Sequence, residues 1–166
     1  MNDKEYSAMP GIRRSDLWWL KKSPAHFKYH CEHPEETASL AFGSAAHAWV
    51  LEPDYFMNEY AVVPQVDRRT KAGRAEIEAF KAEHAEQTWI DAADFETIKD
   101  MYEALMLNED ISKILTAEKR VEVPFFWKDA ETGEECKCKA DIITELDGVP
   151  YIIDYKTTTS CEDGVF

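Results

Sequence analysis

The sequence predicts an α+β domain in which a run of helices leads into a β-meander. Up to about residue 118, apolar residues recur at helical spacing between polar and capping residues. From Arg120 the period changes. Val121, Val123, Phe125 and Trp127 alternate with Glu122, Pro124, Phe126 and Lys128, as in a strand. Farther on, Asp147-Gly148 is a strong signal for a tight hairpin turn.

Taken in order, Ser15 is positioned to cap a helix through Leu20. Ser23-Pro24 restarts a helix, with proline at its first position. Trp18, Trp19, Phe27 and Tyr29 give this front end a large apolar content, and the two tryptophans read as core residues rather than base-stacking platforms. Leu40, Gly43, His47 and Val50-Leu51 mark the next helix, which Glu52-Pro53 ends. A polar segment from Pro64 to Gly73 leads into an acidic helix ending near His84. Asp91, with Asp94 three residues later, begins a helix carrying Ile98, Met101, Leu105 and Met106, and Asp110 to Leu115 reads as a short further turn. Three strands follow, from Arg120, from Glu135 to Thr144, and from Val149 to Tyr155.

The 166 residues suit one domain, and an apolar fraction of 45% is enough for a core without covalent staples. No stretch reaches the ~18 uninterrupted apolar residues of a membrane helix. The N-terminus, MNDKEYSAMPG, has no basic segment followed by an apolar one, so the chain is expected to be soluble and cytoplasmic. Four cysteines, Cys31, Cys136, Cys138 and Cys161, do not form a disulfide framework in such a chain. Cys136 and Cys138 share a strand face and read as half-buried apolar residues. A zinc or iron–sulfur site would want a CxxC pair or a grouped ligand set.

A net charge of −14 points away from a uniformly basic nucleic-acid binder. Acidic residues dominate from Glu76 to Glu118. Basic ones gather at Arg13/Arg14, at Lys21/Lys22, at Arg68/Arg69/Lys71/Arg74 and at Lys137/Lys139. Local field counts for more than net charge, so this pattern still admits a DNA channel.

The segment richest in chemistry is Ala140-Asp141, followed thirteen residues later by Asp154-Tyr155-Lys156. Strand alternation would put Asp154 and Lys156 on one face, at the end of the apolar run Tyr151-Ile152-Ile153. Asp141 would come from the strand paired with it through the Asp147-Gly148 turn. Hard carboxylate ligands select Mg²⁺ or Mn²⁺, and a lysine adds positive charge where a phosphoryl group reacts. The competing reading is a surface ion pair at a strand end, worth ~0–1 kcal/mol.

Five pieces in order give the spacing its context: SAMPGIRRSDL, FGSAAHAWVLEPDYF, RRTKAGR, VEVPFFWKDAETGEECKCKADII and IIDYKTT. On these, from about Tyr6 to Phe166, the chain resembles the RecE (exonuclease VIII) type of exonuclease within the PD-(D/E)xK superfamily. The resemblance implies a restriction-endonuclease-like core with a mixed sheet, spanning residues 1–166 as a single nuclease domain. It implies Asp141 and Asp154 as metal-binding carboxylates and Lys156 as the catalytic lysine. His47, in the G-x-x-x-H stretch from Gly43, corresponds to a histidine at the metal site, and Glu122 to an acidic residue near the same cleft. Thr157 corresponds to a supporting hydroxyl. The family continues past the lysine into a helix bearing a glutamine and a tyrosine. This chain has ten residues after Lys156, so that helix and the remaining strands are expected to be lacking.

The implied activity is Mg²⁺- or Mn²⁺-dependent hydrolysis of linear double-stranded DNA, 5′→3′, in phage-type recombination. The implied partners are DNA, a single-strand annealing protein and further copies of the chain in a homo-oligomer, with no membrane. Arg68, Arg69, Lys71 and Arg74 are candidates for phosphate contacts, or else a solvated basic loop. Without the resemblance, His47 would read as a satisfied core histidine and Glu122 as a solvent-facing strand residue. Two other classes compete. One is a catalytically inactive nuclease-fold remnant that binds DNA or a partner protein. The other is an acidic mimic of nucleic acid, which predicts carboxylates in an exposed array.

Overall fold

A computed structural model describes residues 3–33 and 37–160, so Cys161 lies outside the described residues. In chain order the elements are α1 (Asp3–Ala8), α2 (Arg14–Lys22), α3 (Pro24–Glu32), α4 (Ala38–Leu51), α5 (Pro53–Glu59), β1 (Tyr60–Val63), α6 (Lys71–Glu83), β2 (Thr88–Asp91), α7 (Ala92–Leu107), α8 (Glu109–Thr116), β3 (Lys119–Lys128), β4 (Glu135–Leu146) and β5 (Val149–Ile153). The class is α+β, with helices first and an antiparallel meander after them, as the sequence predicts. Two compact units make up the chain. The first comprises Met1–Thr37 and Glu118–Asp154, the second Ala38–Ala117 and Tyr155–Phe166.

The first unit is built on the antiparallel sheet β3-β4-β5. Asp147 and Gly148 both adopt positive φ, 52° and 78°, as a two-residue hairpin between right-twisted strands requires. The N-terminal segment joins the far half of β4. Ile12 donates to the Glu135 carbonyl at 2.8 Å and accepts from the Lys137 N–H at 3.1 Å. Lys137, counted among the basic patches in the sequence, is instead buried. Its ammonium donates to the carbonyls of Tyr6 at 3.0 Å, Ser7 at 3.2 Å and Met9 at 2.5 Å, and so closes the C-terminal end of α1.

Helix α2 starts one residue before the predicted Ser15 cap, with Arg13 at the N-cap position. The capping function falls to Asp16, whose carboxylate accepts from the Arg13 backbone N–H at 2.8 Å and from its guanidinium at 3.0 Å and 3.2 Å. Burial works against the charge on Asp16, but these hydrogen bonds and the adjacent cation hold its carboxyl below the ordinary range. A folded-state pKa below the unfolded value of ~3.9 contributes stability above that pH and loses it as pH falls through the folded value. Asp16→Asn is therefore expected to lower stability near neutrality and to flatten the acid limb of a urea-denaturation series. Helix α3 starts as predicted, with the Ser23 hydroxyl accepting from the His26 N–H at 3.2 Å and Pro24 in the first turn.

The second unit packs Ala45, Ala46 and Ala48 of α4 with Phe56, Ile90 and Ile98 into one core. Phe56 lies between the rings of Tyr60 at 4.9 Å and Phe95 at 5.3 Å, both nearly parallel to it. Two strands absent from the sequence reading appear here. β1 and β2 pair in parallel from Tyr60↔Thr88 to Val63↔Asp91. Four residues each, they are too short for an alternation to register. Pro53, read as a helix stop, also opens α5, and Asn108 caps α8 by accepting from the Asp110 and Ile111 N–H groups, making it a full helix rather than a turn. Thr70 caps α6, accepting from the Gly73 N–H at 2.9 Å. A Cβ on Gly73 would stand 2.2 Å from the Asp67 carbonyl oxygen, so no larger residue fits there without moving that loop. Among the described residues, no helix is long and apolar enough to cross a membrane.

Candidate metal centre

In the first unit, the sheet register sets three carboxylates at one level. β3 pairs Val121 with Ile142 and Val123 with Ala140, so Glu122 stands opposite Asp141. β4 pairs Ile142 with Ile153, so Asp154, the next residue, follows alongside Asp141. Carboxylate oxygens of Glu122 and Asp141 lie within 4.8 Å of each other. Asp141 is buried, Glu122 half-buried and Asp154 exposed.

Backbone conformation singles out this level. Glu122 has φ 51°, one of two non-glycine residues with positive φ among the described residues, the other being the hairpin Asp147. A non-glycine residue so placed inside a strand costs about 1–3 kcal/mol. The strain interrupts the β3–β4 ladder where the carboxylates face each other. Lys139, two residues before Asp141 and on the same face of β4, forms an ion pair with Glu122, both groups being largely shielded from solvent. Lys137, Lys139 and Asp141 thus make an inward face of charged residues on β4, two of whose members are lysines with carbonyl or carboxylate acceptors.

Like charges directly opposite on adjacent strands destabilise a sheet unless a cation offsets them. Lys139 offsets one charge. A divalent cation beside the facing carboxylates of Glu122 and Asp141 would offset their repulsion, and carboxylate donors suit a hard ion such as Mg²⁺ or Mn²⁺. Glu122 and Asp141, with oxygens within 4.8 Å of each other, therefore fit such an ion.

β5 ends at Ile153, so strand alternation is not what orients Asp154 and Lys156, contrary to the sequence reading. Asp154 follows Ile153, the last residue of β5 paired with β4. Lys156 belongs to the second unit, where its neighbours are seated on α4. The Tyr155 ring lies 4.9 Å from the half-buried His47 ring at a 49° tilt. One turn earlier, a Cβ on Gly43 would meet the Thr157 hydroxyl at 3.3 Å. Gly43 and His47, four apart and so on one face of the helix, thereby hold Tyr155 and Thr157 and leave Lys156 exposed between them. Burial pushes the Tyr155 phenol up.

The basic patch spans the loop before α6 and its first turns. Arg68 reaches Asp91 at 3.5 Å and Arg69 reaches Asp67 at 3.8 Å, whereas Lys71 and Arg74 stand exposed. The exposed pairs add little stability and leave the patch net positive. Of the predicted half-buried cysteines, Cys136 is partly covered and Cys138 is exposed. The sequence reading missed Lys139 as a partner of Glu122 and Tyr155 as the anchor of the lysine segment. Lys139 had a signal in its alternation with Lys137 and Asp141. Tyr155 had one in its place between two charges at the end of an apolar run.

A family model described as a PDDEXK-like domain of unknown function (DUF3799) matches residues 15–166. No curated protein matches the chain.

Proposed function

The chain belongs to this family of PDDEXK-like domains, with its nuclease-type fold, and on that premise we propose that it is a divalent-metal-dependent exonuclease of DNA. The observation that carries the reading is the facing pair of carboxylates Glu122 and Asp141 on β3 and β4, with Asp154 one residue past the end of β5. Asp141 and Asp154 are the proposed metal ligands, Glu122 a neighbouring acidic group, and His47 a further ligand on the resemblance to RecE-type exonucleases. The ion is Mg²⁺ or Mn²⁺; when bound it supplies charge to the phosphoryl oxygens and lowers the pKa of the attacking water.

The side chains take the remaining tasks. Lys156 donates to the non-bridging oxygens of the scissile phosphate, where negative charge builds up in the transition state. Its compact ammonium on a flexible stem suits that site better than a forked guanidinium. Thr157 and His47 steady the segment that carries it. Lys139 holds the Glu122 carboxylate in place and moderates the charge of the acidic level. Arg68, Arg69, Lys71 and Arg74 contact DNA phosphates, which position a duplex without reading its sequence.

Two observations support the reading besides the family: strain is concentrated at Glu122, and a buried carboxylate, Asp141, sits inside a charged strand face. From the resemblance come its finer points. One strand of linear duplex is degraded 5′→3′, the exposed strand passes to a single-strand annealing protein in phage-type recombination, and the cytoplasmic enzyme works as a homo-oligomer around DNA. End-labelled linear duplex and covalently closed circles test it. Mg²⁺-dependent loss of the linear form alone, abolished by EDTA, is the expected result. Cleavage of both forms would make the protein an endonuclease instead, and cleavage of neither would refute the activity.

A further inference from the structure

Trp18 of α2 is not a core residue, whereas Trp19 is half-buried. Trp18 is 62% exposed and Leu17 50%, whereas core side chains of the second unit such as Phe56 and Ile98 are nearly inaccessible. Leu17 and Trp18 each lie three or four residues from both Arg14 and Lys21, so the four share one face of the helix. With Ser15 and Trp19 they line a surface hollow of about 470 Å³. The Lys21 ammonium lies 5.6 Å from the Trp18 ring centre, and the Lys22 ammonium lies 4.0 Å from that of Trp19. Trp19 is also stacked on His30, with ring centres 4.7 Å apart.

Charge narrows the occupant. The chain carries −14 overall, yet the only acid of α2 is Asp16, which is buried and bonded to Arg13. What α2 offers to solvent is an aromatic surface edged by Arg14, Lys21 and Lys22. A partner that is both anionic and flat complements it, and an unpaired nucleotide strand is both. Bases stack on the indole while the cations accompany the phosphates, with little dependence on sequence. We propose that the outward face of α2 is a stacking platform for single-stranded nucleic acid, centred on Trp18. The platform is independent of the metal and of Lys156, so it stands or falls separately from the proposed nuclease activity.

The test uses the full chain in EDTA, where no metal-dependent cleavage competes. Anisotropy of a fluorescein-labelled oligothymidine is measured against the protein, alongside binding to vesicles of phosphatidylserine and phosphatidylcholine. The wild type is expected to bind the oligonucleotide. Trp18→Ala should bind it roughly tenfold or more weakly, Trp18→Phe should restore most of the affinity, and Lys21→Gln should reduce the salt dependence. Leu107→Ala, which removes an apolar side chain 86% exposed on α7, should leave binding unchanged. Circular dichroism identifies any variant that fails to fold, and Trp18→Phe keeps the test open if Trp18→Ala does. Oligonucleotide binding that is unaltered in both Trp18→Ala and Lys21→Gln would overturn the proposal. So would vesicle binding without oligonucleotide binding, or a Trp18-dependent dimer that ignores the oligonucleotide.

Discussion

Asp141→Asn is expected to lower Mg²⁺-dependent DNA degradation by about 10³-fold, on the order of the loss when one stabilising group is removed from a reaction centre. Asp141 is the buried member of the carboxylate level, with Glu122 opposite it on β3 and Asp154 alongside at the end of β5. Asparagine keeps the shape and one acceptor oxygen but removes the charge that a hard divalent cation requires. Mn²⁺ affinity, followed by calorimetry, should fall together with the rate. The fold should survive, because asparagine keeps the size and shape of the side chain. A variant that binds Mn²⁺ and cleaves DNA like the wild type would remove Asp141 from the site.

Lys156→Ala is expected to separate the two properties that Asp141→Asn loses together. Lys156 is exposed, and its neighbours Tyr155 and Thr157 are held by His47 and Gly43 of α4. Removing its ammonium leaves the carboxylates intact, so Mn²⁺ binding should be unchanged. The cleavage rate should drop by roughly 10²–10³-fold, because charge developing on the phosphate loses a donor. Stability should stay within about 0.5 kcal/mol of the wild type, as for surface positions away from special features. Lys156→Arg should recover only part of the rate, since the planar fork does not reproduce a compact point charge. Equal rates for Lys156→Ala and the wild type would exclude the lysine from the reaction.

The meander was legible because its signals are local and strong. Val121 to Trp127 alternate, and Asp147-Gly148 has the two positive-φ residues that its hairpin requires. Ser23-Pro24 and Asp91 punctuated helices where the structure has them. The first helix start was misread for a physical reason. Ser15 is a good cap by type, but Asp16 reaches back to Arg13 and moves the cap two residues earlier. β1 and β2 escaped because four-residue strands draw their stability from pairing and core contact rather than from periodicity.

At the candidate site, the residue types were legible and the geometry was not. Asp154 and Lys156 stand out as charges at the end of an apolar run, and Asp141 by its spacing from them. That Glu122 faces Asp141 depends on register, and register is set by pairing between strands. The left-handed backbone of Glu122 has no signature in a sequence where glycine or asparagine would be the usual choice. Lys137 showed the opposite failure. Counted as a surface cation, it is a buried cap on α1, because its acceptors are backbone carbonyls that no residue pattern reveals. Trp18 reads as a core residue by type, and its exposure is visible only in three dimensions.

The measurement that bears most directly on the metal centre is anomalous diffraction from crystals of the protein grown with Mn²⁺. A single strong peak at about 2.0–2.2 Å from carboxylate oxygens of Asp141 and Asp154 is the expected result, the distance being that of a small octahedral cation. A map with no peak at saturating Mn²⁺, or with peaks only on surface carboxylates away from the Glu122–Asp141–Asp154 level, would contradict it.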